Sequence, residues 1–517
     1  MLWRQQLLSV LLASTVHATP TKYKNAPQPV VNSTVCNGES YVYEEFAGYG
    51  FLPSDFRDKF GDTAGGWGSS ATIDHTTWKK TGDSYSGILW GIPDRGWNTE
   101  GTLNFMNRVH KFKLTFTPNA SATVEDPSPP NVKLQYLDTI LFTDPTGTPL
   151  SGLDANADGP YLTFPGFPDV PSVTYTGDGF GLPGPGGHRI VLDSEGLVLN
   201  SDGSFWVSDE YGPYIYHFSP AGKMLGAIRP PEAYIPRRNG SESFSANSPP
   251  IYNLNLTVIP GNNPTGRDPN QGFEGLTASP DGKTLYALMQ SALDQEGGLH
   301  SADRRYARFV KYDVTNPAHP VYVAEYVVPL PTFNNNTLVA AQSEIHYISD
   351  TQFLVLARDS GKGHGQSNSL SLYRHADVFD ISTATDLKSA ANDCPTCAIA
   401  SSVGVLDSGI TPATYCSFLD YNVNSELGKF GLHNGGAQDL GLLNEKWESL
   451  VLVPVNPGAQ NCPEYFLISI TDNDFITQNG YMDGGKFKYA DESGYDLLNQ
   501  VLVFKITLPA HSKPRLG

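Results

Sequence analysis

Between Gly196 and Ile228 the sequence spells out a small antiparallel sheet, and this stretch constrains the fold more than any other. Gly196-Leu-Val-Leu-Asn200 runs into the turn Ser-Asp-Gly203 and then Ser204-Phe-Trp-Val-Ser-Asp-Glu210. After Tyr211-Gly-Pro213 come Tyr214-Ile-Tyr-His-Phe218, the turn Ser-Pro-Ala-Gly-Lys223, and Met224-Leu-Gly-Ala-Ile228. Four strands of about five residues joined by tight turns make a meander the size of one propeller blade. With 51 Gly and 39 Pro, the rest of the chain is punctuated too often for long helices, while aromatic and β-branched residues fill the intervals.

The unit recurs, each copy opening on a carboxylate before a small strand. Glu195-Gly-Leu leads to Trp206-Val-Ser-Asp209-Glu210, and Glu274-Gly-Leu leads through Ser279-Pro-Asp-Gly282 to Tyr286-Ala-Leu-Met-Gln290. Glu344-Ile leads to Phe353-Leu-Val-Leu-Ala-Arg358-Asp359, and Glu448-Ser-Leu to Tyr465-Phe-Leu-Ile-Ser-Ile-Thr-Asp472-Asn-Asp474. A degenerate first copy runs from Gly68-Ser-Ser70 to Pro93-Asp94-Arg-Gly96. Five copies are legible. One meander cannot bury both faces alone, so the copies are expected to pack radially. The chain length fits an all-β propeller of six or seven four-stranded blades with loop insertions. The ring is expected over residues 46–508, with a non-blade insertion at about 380–446 and a tail at 509–517. The strand Gln500-Val-Leu-Val-Phe-Lys-Ile-Thr507 is expected to close the ring near Tyr41-Val-Tyr43, within the N-terminal segment 19–45, leaving no free edge.

The first residues read as an export signal: Arg4, an apolar stretch from Leu7 to Val16, and Ala18 at a cleavage point. That stretch is about ten residues, short of the roughly 18 a membrane helix needs. Secretion without a membrane anchor is therefore expected. Five Asn-x-Ser/Thr glycan acceptors, at Asn32, Asn119, Asn239, Asn255 and Asn335, accord with it. Lys and Arg number 34 against 53 Asp and Glu, a net charge of −19 that repels nucleic acid and anionic membranes, attracts cations and favours a soluble monomer. Five cysteines make no dense disulfide framework. Cys394 and Cys397 read as a loop disulfide, since no strand-then-helix pattern of a redox site surrounds them. Cys416 and Cys462 are candidates to pair across the sheet, which leaves Cys36 over.

Asp193-Ser-Glu195-Gly with Trp206-Val-Ser-Asp209-Glu210-Tyr-Gly-Pro213, Asn270-Gln-Gly-Phe-Glu274-Gly-Leu, Arg358-Asp359, and Trp447-Glu448 with Asp472-Asn473-Asp474 together resemble the phytase-like family, also called the esterase-like activity of phytase family. The resemblance extends from about Phe46 to Leu508. It implies a secreted or periplasmic propeller-type protein, linked by the family's name to phosphoester cleavage. The calcium-dependent propeller phytases are a separate group, and their relevance is by analogy.

The first strand of a propeller blade lines the central channel, so Glu195, Glu274, Glu344 and Glu448 are expected to converge at one end of the axis. Their repulsion requires raised pKa values, basic partners or a cation, and Ca²⁺ suits a flexible ring of oxygens. Asp209, Glu210, Asp472 and Asp474 are further metal-ligand candidates. The competing readings have each Glu capping backbone N–H groups at a blade corner, or acting directly as a catalytic acid or base. Asp154-Ala-Asn156-Ala-Asp158-Gly159 begins like a calcium loop, but Pro165 stands where an EF-hand needs Glu, which leaves a non-helical calcium loop or an Asx-turn.

For phosphate, Arg95, Arg189, Arg358 and Lys362 are the candidate cations, with Asp359 as a catalytic candidate and His364 on the flexible loop Asp359-Ser-Gly-Lys-Gly-His-Gly365. Arg358 has an equally simple structural reading as an ion pair with a neighbouring blade. No Gly-x-Ser-x-Gly elbow supports a serine hydrolase. The expectation is a calcium-dependent hydrolase of small phosphate esters. The alternatives are a non-catalytic propeller binding a sugar or protein with structural calcium, and a metal-dependent lactonase or carboxylic esterase.

Overall fold

The computed structural model describes residues 30–459 and 462–517. The export signal expected over residues 1–18 lies outside the described residues. Four of the meanders named above fold as four-stranded antiparallel sheets over 70–141, 194–228, 273–329 and 341–420. The fifth sheet joins both halves of the chain. From the inside outward it runs Val451–Pro454, Glu464–Ile470, Asn499–Thr507, Glu39–Leu52 and Asn32–Cys36. Tyr43 pairs with Ile506 and Tyr49 with Leu502, so the ring closes by strand pairing. The N-terminal blade strand crosses the segment boundary expected at residue 45.

The propeller has five blades, which corrects the expected six or seven. Every legible copy is a blade, and the remaining length goes into connections. Antiparallel alternation places the start of each inner strand and the ends of each second and fourth strand at the same end of the ring. Long segments gather there: 93–107, 142–193, 229–272, 359–373, 421–450 and 471–498. The supposed insertion at 380–446 contains the outer strand of blade 4, Thr414–Asp420, hydrogen-bonded to Arg374–Asp380.

Apolar side chains fill the wedges between neighbouring blades. Trp90, Phe142, Phe205 and Phe218 pack between blades 1 and 2. Tyr286, Phe309, Phe353 and Phe379 join blades 3 and 4. Phe46, Trp447 and Phe504 sit between blades 4 and 5, and Trp67, Phe116 and Phe466 between blades 5 and 1. Each fully buried aromatic contributes on the order of 2 kcal/mol, so burial drives closure at each of these four wedges.

The disulfides are Cys394–Cys397, as expected, and Cys36–Cys416. Cys462 is the free cysteine among the described residues, which corrects the pairing of Cys416 with Cys462. The bridge joins the outermost strand of blade 5 to the outer strand of blade 4. Sequence could not reveal it because 380 residues separate the partners. No helix among the described residues is long and apolar enough to cross a membrane.

One end of the axis is plugged by the segment 513–517. Arg515 donates to the Ser279 carbonyl at 2.9 Å and to the Leu199 carbonyl, and the Gly517 N–H donates to the Leu452 carbonyl at 3.0 Å. The other end, where the long connections gather, holds a polar cavity of about 220 Å³.

Candidate functional site

All five blades contribute to this cavity by the same local device. An inner strand begins, or a second strand ends, with a polar residue facing the axis. Blade 1 supplies Asp94 and Arg95, blade 2 Asp193, Glu195 and Glu210, and blade 3 Asn270, Glu274 and Gln290. Blade 4 supplies Arg358, and blade 5 supplies Lys446, Glu448 and Asp474, with Asn98 at the rim. Seven carboxylates thus face three cations.

The cations are unevenly shared. Lys446 Nζ lies 2.6 Å from Asp472 Oδ2, 2.9 Å from Asp474 Oδ1 and 3.6 Å from Glu448. Arg358 Nη2 lies 2.5 Å from Glu448 Oε1, and its Nε donates to Ser343 Oγ at 3.1 Å. Arg95 is 3.5 Å from Asp193, too far for a hydrogen bond. Two groups of three carboxylates have oxygens within 4.8 Å of one another, Asp94 with Asp472 and Asp474, and Asp193 with Glu195 and Glu210.

Several buried oxygens have no donor: both of Asp193, Oε1 of Glu210, Oε2 of Glu274 and Oε2 of Glu448. Desolvation therefore dominates the electrostatics. Burial, then the charge of Glu274, pushes Glu195 and Glu210 well above the usual carboxylate range. Burial and then Glu448 push Glu274 up to about 8. Asp472 rises to about 7 through burial, with Lys446 opposing. Such a set takes up protons or a cation. Its ligand atoms are carboxylate oxygens with the amides of Asn98, Asn270 and Gln290 at the wall, Asn270 Oδ1 being buried without a donor, a hard-oxygen set that fits calcium.

Local structure aims these groups. The Asp209 carboxylate accepts the N–H groups of Asp193, Tyr211 and Gly212 at 3.1, 3.0 and 3.0 Å, so it positions Asp193 and Glu210 and has no free oxygen to offer the pocket. Asn270 and Asp474 hold left-handed backbone angles, φ 58° and 50°. Strain of this kind is tolerated where surrounding bonds over-determine the turn, and Asp472 Oδ1 accepts the Asp474 N–H at 2.6 Å.

The structure brings together Glu195, Glu210, Glu274, Glu448, Asp472, Asp474, Arg95 and Arg358. It separates the other candidates. Glu344 faces away from the cavity, accepting the Leu276 and Ile345 N–H groups at 3.0 and 2.8 Å and the Ser70 hydroxyl at 2.6 Å, the capping role weighed above. A β-bulge explains the error. In blade 3 the extra residue is Glu274, between the pairs Phe273–Met289 and Gly275–Leu288, whereas in blade 4 it is Ser343, and Glu344 pairs with Leu356. Glu344 is thus the counterpart of Gly275, one residue beyond the axial position, and a one-residue slip turns a side chain to the other face.

Asp359 holds its loop by accepting from Ser371 Oγ and the Leu372 N–H, both at 2.7 Å. Lys362 and His364 lie outside the pocket lining, and His364 packs edge-on against Tyr495. Arg189 donates to Asn104 at 3.2 Å and lies over Tyr175. The calcium-loop reading at Asp154, Asn156 and Asp158 is corrected at its first position to a half-buried cap, and Asp158 is exposed. Asp154 accepts from Ser245 Oγ and from the Ala246 and Ser248 N–H groups at 2.7, 2.7 and 3.0 Å, while Asn156 bonds Thr174. Among the glycan acceptors, Asn32, Asn239, Asn255 and Asn335 are exposed and Asn119 is half-buried.

Sequence reasoning missed Asp94, Asp193, Lys446, Asn270, Gln290 and Asn98. Strand alternation carries the signal for two of them. Asp193 stands two residues before Glu195 and Lys446 two before Glu448, which places each pair on one face.

Comparison with known proteins gives three results. A family described as "Phytase-like: Esterase-like activity of phytase" matches residues 81–475. A protein of Arthroderma benhamiae named "Uncharacterized secreted protein" is 55% identical over 489 residues, covering 92% of this chain and 95% of its own length. Two solved structures overlap loosely. One chain of an S. cerevisiae complex of Dbp5 with Nup159 and Gle1 has a TM-score of 0.28 at 7% identity, with 90% of this chain and 96% of that chain covered. A Xanthomonas campestris gluconolactonase has a TM-score of 0.23 at 9% identity, with 85% and 97% covered. At these scores neither likeness bears on fold or function.

Proposed function

This chain belongs to the Phytase-like family, and we propose from that premise that it is an exported hydrolase that cleaves small phosphate esters in the axial pocket with calcium bound. The carrying observation is the juxtaposition in one cavity of donor-free carboxylate oxygens with Arg95, Arg358 and Lys446. The family name supports ester hydrolysis, and the name of the Arthroderma relative, with two disulfides in the fold, supports secretion. A net charge of −19 speaks against nucleic acid and anionic membranes as partners, and a ring closed on itself supports a monomer.

In this reading Asp193, Glu195 and Glu210 hold the cation, whose charge offsets that of the phosphoryl oxygens. Arg358 and Lys446 bind those oxygens from the side of Glu448. Water's oxygen bonds to phosphorus, and Glu448 Oε2 takes its proton. As the P–O ester bond breaks, Glu274 Oε2, protonated at neutral pH, gives a proton to the leaving oxygen. No serine, cysteine or histidine lines the cavity among the described residues, so a nucleophilic esterase has no support there.

The test is phosphate release from phytate and from an aryl phosphate, with calcium or with a chelator, beside hydrolysis of lactones and carboxylic esters. Calcium-dependent phosphate release is expected. Turnover of lactones or carboxylic esters alone would replace this reading with the esterase one, and no turnover of any ester would favour a binding propeller.

A further inference from the structure

The two carboxylate groups of the pocket look alike in composition but differ in what their oxygens meet. In the group of Asp193, Glu195 and Glu210 three buried oxygens have no donor: both of Asp193 and Oε1 of Glu210. The other group has no such oxygen. Asp94 accepts the Gly96 N–H at 3.0 Å and the Asn98 amide at 3.3 Å, and Asp472 and Asp474 share the ammonium of Lys446 at 2.6 and 2.9 Å. A primary ammonium in contact with two of these three carboxylates, Asp472 and Asp474, stands where a divalent ion would otherwise be drawn, and its own side chain carries the charge to that place.

We infer that the pocket takes one divalent cation, at Asp193, Glu195 and Glu210, and that Lys446 Nζ fills the Asp94, Asp472 and Asp474 group as a built-in second positive charge. The inference rests on the cation-loaded reading above and deepens it. A pair of metal ions would clamp a transferring group between two mobile charges that a chelator removes together. Here one of the two is covalently part of the chain, so chelation strips the Asp193 side of the pocket and leaves the Lys446 side neutralised.

Calcium stoichiometry tests this, measured by calorimetry and by equilibrium dialysis on the full secreted chain. The wild type is expected to bind one ion in the pocket. Glu210→Gln is expected to bind none, and Asp94→Asn to remain at one. Lys446→Met is expected to bind two, with a melting temperature that calcium raises more than it raises that of the wild type. Two ions in the wild type would overturn the inference while leaving a calcium-dependent hydrolase standing. No ion in the wild type would overturn both. Loss of binding in Asp94→Asn with retention in Glu210→Gln would assign the ion to the wrong group and overturn the inference, whether or not Lys446→Met folds. One ion in a folded Lys446→Met would remove the role given to the lysine.

Discussion

Arg358, at the end of a second strand in blade 4, places Nη2 2.5 Å from Oε1 of Glu448, at the start of the inner strand of blade 5. Both side chains are buried, and the same guanidinium donates to Ser343. The ion pair therefore locks two blades together while presenting a positive edge to the cavity. Replacing Arg358 with Met strands a buried carboxylate, and a loss of about 3 kcal/mol in unfolding free energy is expected by denaturant titration. Phosphate release should fall by about 100-fold or more, as for other donors to developing charge. Full turnover by Arg358→Met would remove Arg358 from the substrate site.

Glu344 and Glu274 separate a structural carboxylate from a pocket one. Glu344→Ala leaves two backbone N–H groups and the Ser70 hydroxyl without their acceptor, at a cost of about 2 to 4 kcal/mol in stability, with calcium affinity unchanged. Glu274→Gln is expected to show the opposite pattern, with stability held because the carboxyl it replaces is already neutral at pH 7. Calcium binding should weaken in that variant. A loss of calcium affinity in Glu344→Ala would contradict the bulge-shifted register.

The Cys36–Cys416 bridge ties the outermost strand of blade 5 to blade 4 across 380 residues. Cross-links of such long loops restrict the unfolded chain most, so Cys36→Ser with Cys416→Ser should lower stability by about 2 to 5 kcal/mol. The expected sign in limited proteolysis is earlier cleavage within Asn32–Leu52. An unchanged melting temperature would show that strand pairing alone holds the closure.

Two buried histidines set an acid limit. Burial lowers His110 and His346 to about 4 from an ordinary 6.5. Between those values the unfolded chain binds protons that the folded chain refuses, so stability is full above about pH 6.5 and falls as pH drops toward 4. Each group contributes roughly 3 kcal/mol to that loss. The melting temperature of His346→Gln, whose amide can still meet the Arg515 carbonyl, should depend less steeply on pH over this range. An equally steep curve would assign the acid limit elsewhere.

Much of this architecture was legible in one dimension. The strand-and-turn spacing of 196–228 is a blade, and each of the five legible copies is one. The two-residue alternation of a strand explains why carboxylates at its start face the axis. Glu195, Glu274 and Glu448 could be named on that ground, and Glu210, Asp472 and Asp474 as carboxylates that follow second strands. Lys446 and Asp193 obey the same period, but they preceded the motifs that drew notice.

By itself the sequence determined the all-β class, the repeating meander, the concentration of acid at strand starts and the pairing of Cys394 with Cys397, because each is set by neighbours a few residues apart. Tertiary structure alone decided the rest. Whether a residue is the extra one in a bulge depends on the strand opposite, so Glu344 and Glu274 look equivalent in a string and face different ways in the fold. Which carboxylates keep free oxygens depends on cations delivered from other blades, and the number of blades depends on how much chain the connections consume. Those are relations between distant segments, fixed when the wedges between blades close and the ring shuts.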